Sequence, residues 1–292
     1  MKAGNIGQSI RELRMLMHMS QRELAKGICT QPLISQIEAG EVSPSADMLY
    51  KFASRLGVDM NYFFEITACP RLDYVEEVCL MIRQEIRKRN YEKVAELIHA
   101  EKHNPLFQSG RARQFMLWHQ GICEFYLNHN TEQAFELLNQ AMTSIEPEGK
   151  VYSERKIEIL NSMAVFYSEI GNNEKALVTF QSGLFHLRKL PAIQDQSIEI
   201  RILFNLAKTL TIAGNYEKSV RHCDEGIKLC LVRERLSLLG ELFYQKGKNL
   251  LVLKDKEAAV ECLYRALDLF ELQQNDSFAD IVKSTVSSAL SA

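Results

Sequence analysis

Apolar residues return every three or four positions along almost the whole chain. Nowhere do four or more residues alternate strictly between apolar and polar within turn signals. The pattern predicts an all-α protein. In "NIGQSIRELRML" the inward face is Ile6, Ile10, Leu13 and Leu16. Ser20 then starts a second helix, with Glu23 three residues on to complete a capping box, and Leu24, Ala25 and Ile28 form its buried side. Thr30 starts a third helix (Leu33, Ile34, Ile37 inward) and Gly40 ends it; Ser45 opens a fourth and "DMNYFFE" a short fifth.

From residue 90 the pattern repeats itself. "NYEKVAEL", "NTEQAFEL", "NNEKALVTF", "NYEKSVRH" and "DKEAAVECL" begin at 90, 130, 172, 215 and 255, and align Val94, Ala134, Ala176, Ser219 and Ala259. A period of about forty residues with two helices per unit marks a helical solenoid whose pairs bury their apolar faces against their neighbours. "NLAKTLTIAGNYEKSV" and "SMAVFYSEIGNNEKAL" carry the large, small, large, glycine, aromatic and small positions of tetratricopeptide repeats. Five repeats are expected, with "DSFADIVKSTVSSALSA" as a capping helix. The domains read as 1–68, a helix-turn-helix; 69–90, a linker helix that opens the first repeat, with Pro70 as a break before it; and 74–292, the repeats with their capping helix.

Composition narrows the class. The chain has 292 residues, 46% hydrophobic and 25% charged, and no apolar run long enough to span a bilayer. Its start, "MKAGNIGQSI", has no signal-peptide core, so a cytoplasmic location is expected. Seven scattered cysteines without CxxC spacing read as reduced, packed thiols. The net charge of −2 excludes a general polycation, and residues 1–57 carry only two more basic than acidic side chains. Any affinity for DNA therefore rests on geometry and valency as much as on charge.

The histidines lack HExxH or HxH spacing, and there is no GxSxG and no glycine-rich phosphate loop, so no enzyme activity, metal or cofactor is expected. His99 and His103 are spaced as metal ligands are, without further ligands beside them.

Burying Ile34 and Ile37 leaves Gln31, Pro32, Ser35, Gln36 and Ala39 pointing outward. That face is short, polar and nearly uncharged. It is cheap to desolvate against base edges, and a glutamine amide matches the donor and acceptor of adenine in the major groove. With caps at both ends of the pair, residues 5–66 resemble the lambda-repressor/Cro-type DNA-binding domain. The resemblance makes Thr30, Gln31, Ser35 and Gln36 base readers and gives Gln21 and Arg14 to phosphates. Cys29 stands where such domains commonly have the turn glycine, and the turn looks one residue short.

A helix-turn-helix followed by these repeats resembles, over the whole chain, the Gram-positive peptide-pheromone receptors and among them the PlcR-like quorum-sensing transcriptional regulators. The likeness rests on "SQRELAKGIC", "ISQIEAGEVSPSADML", "NSMAVFYSEIG", "FNLAKTL" and "LLGELFYQKG". It implies a cytoplasmic homodimer, with an activator's role, that binds a short imported signalling peptide on the repeats and a near-palindromic site on double-stranded DNA. It matches Asn161 and Asn205 to the asparagines that clamp the peptide backbone, and Arg87 and Arg89 in "RKRN" to a basic stretch before the first repeat. Carboxamides suit that task because they satisfy both N–H and C=O groups leaving water. Lys208, one turn after Asn205, is a candidate for a peptide carboxylate, and Glu241, Tyr244 and Gln245 for the groove wall. Tyr167 is expected to pack within its repeat. Two alternatives remain at this point: a phage- or plasmid-type repressor that binds no peptide, and a peptide-regulated docking or phosphatase scaffold.

Overall fold

The computed structural model describes residues 6–68, 71–145 and 152–291, and those residues are helical without a strand. The chain forms two compact units, residues 1–116 and 117–292. The first begins with five helices: α1 (Ile6–Leu16), α2 (Gln21–Ala25), α3 (Gln31–Ala39), α4 (Ala46–Leu56) and α5 (Met60–Ala68). They enclose one core in which Ile10, Leu24, Ile34, Phe52 and Phe63 are wholly buried. Leu16 departs from expectation and is 69% exposed. The helix ends there, and His18 turns left-handed at φ 54°, so the last turn leaves the core.

α1 meets α3 at Gly7. A Cβ on that glycine would lie 1.7 Å from the Ile37 carbonyl oxygen, so only glycine permits the contact.

The helical pairs follow: α6 (Leu72–Arg87) with α7 (Tyr91–Glu101), α8 (Gly110–Tyr126) with α9 (Thr131–Thr143), and α10 (Glu154–Glu169) with α11 (Asn173–Leu187). Next come α12 (Ser197–Ile212) with α13 (Tyr216–Val232), α14 (Leu239–Val252) with α15 (Lys256–Leu272), and a last helix, α16 (Asp276–Ser291). The first pair lies in the first unit, and α8 crosses the division at residue 116. α16 lays Ala279, Val282 and Val286 on the core of the last pair, as a cap does.

The aligned sequence positions explain the repeat. Val94, Ala134, Ala176, Ser219 and Ala259 are each wholly buried, and the side chains of Asn90, Asn130, Asn172 and Asp255 cap the second helix of their pairs. The residue before each cap is left-handed: Arg89, His129, Gly171, Gly214 and Lys254. Glycine fills this place in only two turns, and in the others a side chain tolerates a cost of about 1 kcal/mol.

The six described cysteines form no disulfide with one another, and four of them are buried. Burial pushes the Cys223 thiol up to about 12 and the Cys230 thiol to about 11. Cys69, Pro70 and Pro147 lie outside the described residues. No helix among the described residues is long and apolar enough to cross a membrane.

Candidate functional site

Two polar surfaces stand out, one in each unit. In the first, the capping box at Ser20 and Glu23 is complete and starts α2. Arg55 donates to the carbonyls of Leu24 at 2.9 Å and Lys26 at 2.5 Å, satisfying groups that the end of α2 leaves open. The turn to α3 runs over residues 26–30, and its left-handed residue is Gly27 at φ 72°. The turn glycine is therefore present, two positions before Cys29, and the turn is not short: α2 stops early, leaving Ile28 half-buried in the turn.

α3 begins at Thr30, whose side chain makes no cap bond, and Gly40 ends it at φ 78°. Gln31, Ser35 and Gln36 are exposed along its outer face, as is Thr30 before it.

Beneath that face lies a network that the sequence reading missed. Arg14 grips Glu38 with two bonds, Nε to Oε1 at 2.6 Å and Nη2 to Oε2 at 2.8 Å, and its Nη1 donates to the Met19 carbonyl at 2.7 Å. Gln21 Nε2 donates to Glu38 Oε2 at 2.9 Å, and Gln21 Oε1 accepts from Gln31 Nε2 at 2.7 Å. Burial would raise the Glu38 pKa, but the hydrogen bonds of Arg14 and Gln21 and the Arg14 charge hold it below the usual carboxylate range.

These contacts correct two expectations. Arg14 faces inward and joins α1 to α3, so it is not free for a phosphate. The Gln21 amide is engaged in fixing Gln31 rather than open to the backbone of DNA. The one available signal was Glu38 itself, an acid next to Ile37 on the inward side of α3.

In the second unit, α10 and α12 lie side by side, and Asn205 Nδ2 donates to Asn161 Oδ1 at 3.1 Å. The two candidate clamps are thus neighbours, both half-buried. Arg201 reaches Glu158 at 2.8 Å and Asp195 at 3.2 Å along the same seam. Lys208 is exposed.

On α14, Glu241 is half-buried, with one carboxylate oxygen buried and unpartnered, and burial raises its pKa. Tyr244 is half-buried, its hydroxyl 3.4 Å from Thr285 Oγ1. Gln245 corrects the reading of the wall. It is 5% exposed and donates to Thr211 Oγ1 at 2.6 Å, so it belongs to the seam between α12 and α14. From there a directed chain runs Thr211 to Asn249 at 2.9 Å, Asn249 to Ser219 at 2.7 Å, and Ser219 to the Ala207 carbonyl at 2.7 Å.

Tyr167 stacks on Phe135 at 4.5 Å with Lys175 over its ring, so its contacts bridge to the preceding pair as well as to its own. Met163 is only half-buried. Arg87 and Arg89 are exposed in the first unit, at the end of α6 and in the turn after it.

This architecture defines a class: a helix-turn-helix unit joined to an α-helical repeat array. Residues 10–63 match the helix-turn-helix family model, and residues 81–290 match that of the RNPP family C-terminal domain. The chain belongs to the RNPP family. No curated protein sequence matches it.

Its fold is similar to crystal structures of PlcR from Bacillus thuringiensis. In complex with the peptide PapR7 and DNA, PlcR is 22% identical with a TM-score of 0.85, covering 95% of this chain and 98% of that one. In its apo form the values are 20% and 0.68, covering 96% and 98%. ComR from S. thermophilus, in complex with DNA and its signalling peptide ComS, is 16% identical with a TM-score of 0.70, covering 97% and 99%.

Proposed function

We propose that this chain is a DNA-binding transcription regulator whose hold on DNA is controlled by a short signalling peptide, as in quorum sensing. The observation that carries the reading is the Gln31 amide. It stands exposed at the start of α3 and is held there by Gln21 and, through it, by the buried Glu38. An amide fixed before contact loses little rotamer freedom when it meets a base. Gln31, Gln36, Ser35 and Thr30 read bases; helix-terminus N–H groups serve the phosphates. Asn161 and Asn205 would exchange their mutual bond for the peptide backbone, with Lys208, Glu241 and Tyr244 on the same unit; Arg87 and Arg89, in the other unit, match the basic stretch that the family uses for peptide. The PlcR and ComR complexes with DNA and peptide support this division of labour.

The chain works as a cytoplasmic homodimer and an activator on a near-palindromic duplex, and has no catalytic step. Peptide binding favours one arrangement of the two reading helices, about 34 Å or a multiple apart. The domain limits are those of the sequence: reading unit to residue 68, linker helix to 90, repeats from 74 onward.

Selection from a random duplex library by the full chain, with and without a pool of short synthetic peptides, tests the reading. A recovered near-palindrome whose affinity rises with peptide supports it. Recovery of the same duplex with affinity indifferent to every peptide would leave a peptide-independent repressor instead.

A further inference from the structure

Lys208 and Lys248, like several other lysines of the repeats, make no ion pair among the described residues. Lys246, two residues before Lys248, pairs with Asp224, whereas among the described residues no carboxylate lies within ion-pair distance of Lys208 or Lys248. They are forty residues apart in sequence, the same interval as between the caps Asn215 and Asp255. They therefore hold one position in successive repeats, on α12 and α14.

Those helices are neighbours, joined by Gln245 and Asn249 through Thr211. At 100° per residue, Leu239, Leu242, Phe243 and Leu250 of α14 turn into the core, whereas Glu241, Tyr244 and Lys248 form the half-buried arc left over, with Lys248 near its middle. The matching arc of α12 carries Arg201, Asn205 and Lys208. Asn205 fixes that arc to the same surface as Asn161.

Lys248 is no ordinary solvated lysine. Its ammonium lies 4.8 Å from the centre of the Tyr244 ring, and burial lowers its pKa. A half-buried cation with only a ring for company is completed by an anion.

We infer that Lys208 and Lys248 together hold a carboxylate of the bound peptide, so that the ligand is a peptide bearing a free C-terminal or an acidic side-chain carboxylate over α12 and α14. This rests on the peptide-binding reading above. The carboxylate restores the charge pairing that the repeats leave open at Lys248, and Tyr244 forms the wall beside it. Glu241 sits two turns before Lys248 on the arc and rejects a second acid beyond the first.

Affinity selection by the full chain from a random library of short synthetic peptides tests this. The library is made in two forms: free acids lacking Asp and Glu, and C-terminal amides containing them; amides lacking both acids are the reference. One of the first two forms is retained about tenfold over the reference, the scale of one charge-assisted bond. Free-acid retention assigns the carboxylate to the C-terminus, and retention of acidic amides assigns it to a side chain. Lys208→Gln and Lys248→Gln each lower that preference, and the double variant removes it while still retaining the reference peptides. Equal retention of all forms, or a preference unchanged in the double variant, overturns the inference and leaves the peptide reading standing. No retention of any form by the wild-type chain overturns both. Circular dichroism of the variants, unchanged from wild type, excludes unfolding as the cause of a lost preference.

Discussion

Two seams, one in each unit, treat buried polarity in opposite ways, although the repeats also bury the ion-paired Glu158 and Glu199 elsewhere. Under the reading helix the strut is ionic: Arg14 and Glu38, 12% and 2% exposed at their side chains, tie α1 to α3 and extend through Gln21 to the surface. Between α12 and α14 the strut is neutral, a chain of amide and hydroxyl groups from Gln245 to the Ala207 carbonyl, with Ser219 and Asn249 wholly buried. A small unit with one core gains a rigid, directional anchor from an ion pair, at the cost of sensitivity to acid. A stack of repeats needs its units in register, and neutral groups in series supply that without a charge to desolvate.

The sharpest break is at Glu38. Glu38→Ala leaves Arg14 part-buried and unpaired and is expected to cost about 3–5 kcal/mol. Hydrogen exchange localises the loss to α1–α5, while fluorescence of the single tryptophan, Trp118, reports the repeats unchanged. Asn249→Ala removes the two bonds by which its amide joins Thr211 to Ser219 and costs about 1–3 kcal/mol, read as a Trp118-detected loss of repeat stability with α1–α5 intact.

pH separates the struts more finely. The Glu38 pKa lies below its unfolded value of 4.5, so its stabilisation is complete above that value and is lost as pH falls through the folded one. Acid therefore weakens α1–α5, and Glu38→Gln flattens that dependence. Asn249→Ala leaves the acid profile of the repeats as it was.

Ser20→Ala removes half of the capping box and costs about 1 kcal/mol, measurable as a lower midpoint for α1–α5. The smallest effect runs the other way. Lys254→Gly relieves a left-handed side chain and stabilises the last pair by about 0.5 kcal/mol, the strain relieved less the added chain entropy.

Most of this fold is legible in the sequence because its signals are local. Ser20 and Glu23 are three residues apart, Asn172 stands at the helix it caps, and Ala134, Ala176 and Ala259 recur at one place in a repeat. The turn between α2 and α3 is not legible in the sequence because Gly27 reads as part of α2, whereas the helix stops at Ala25. The struts were invisible for a different reason. Arg14 and Glu38 are 24 residues apart, and Thr211 and Asn249 are 38 apart, and a polar residue on a helix reads as solvated until its neighbour is known. Lys248 gives no signal in the sequence for the same reason. Gln245 shares the first helix of the last repeat with Glu241 and Tyr244, which points to the groove, whereas its amide turns to the seam.

The most direct measurement is base discrimination by the reading helix. The duplex selected by the wild-type chain and its single-base variants are titrated with Gln31→Ala/Gln36→Ala protein shown to be folded, over a range of salt. The account predicts that the affinity differences between bases collapse while the salt slope, set by phosphate contacts, stays the same. Discrimination retained in the double variant would contradict it.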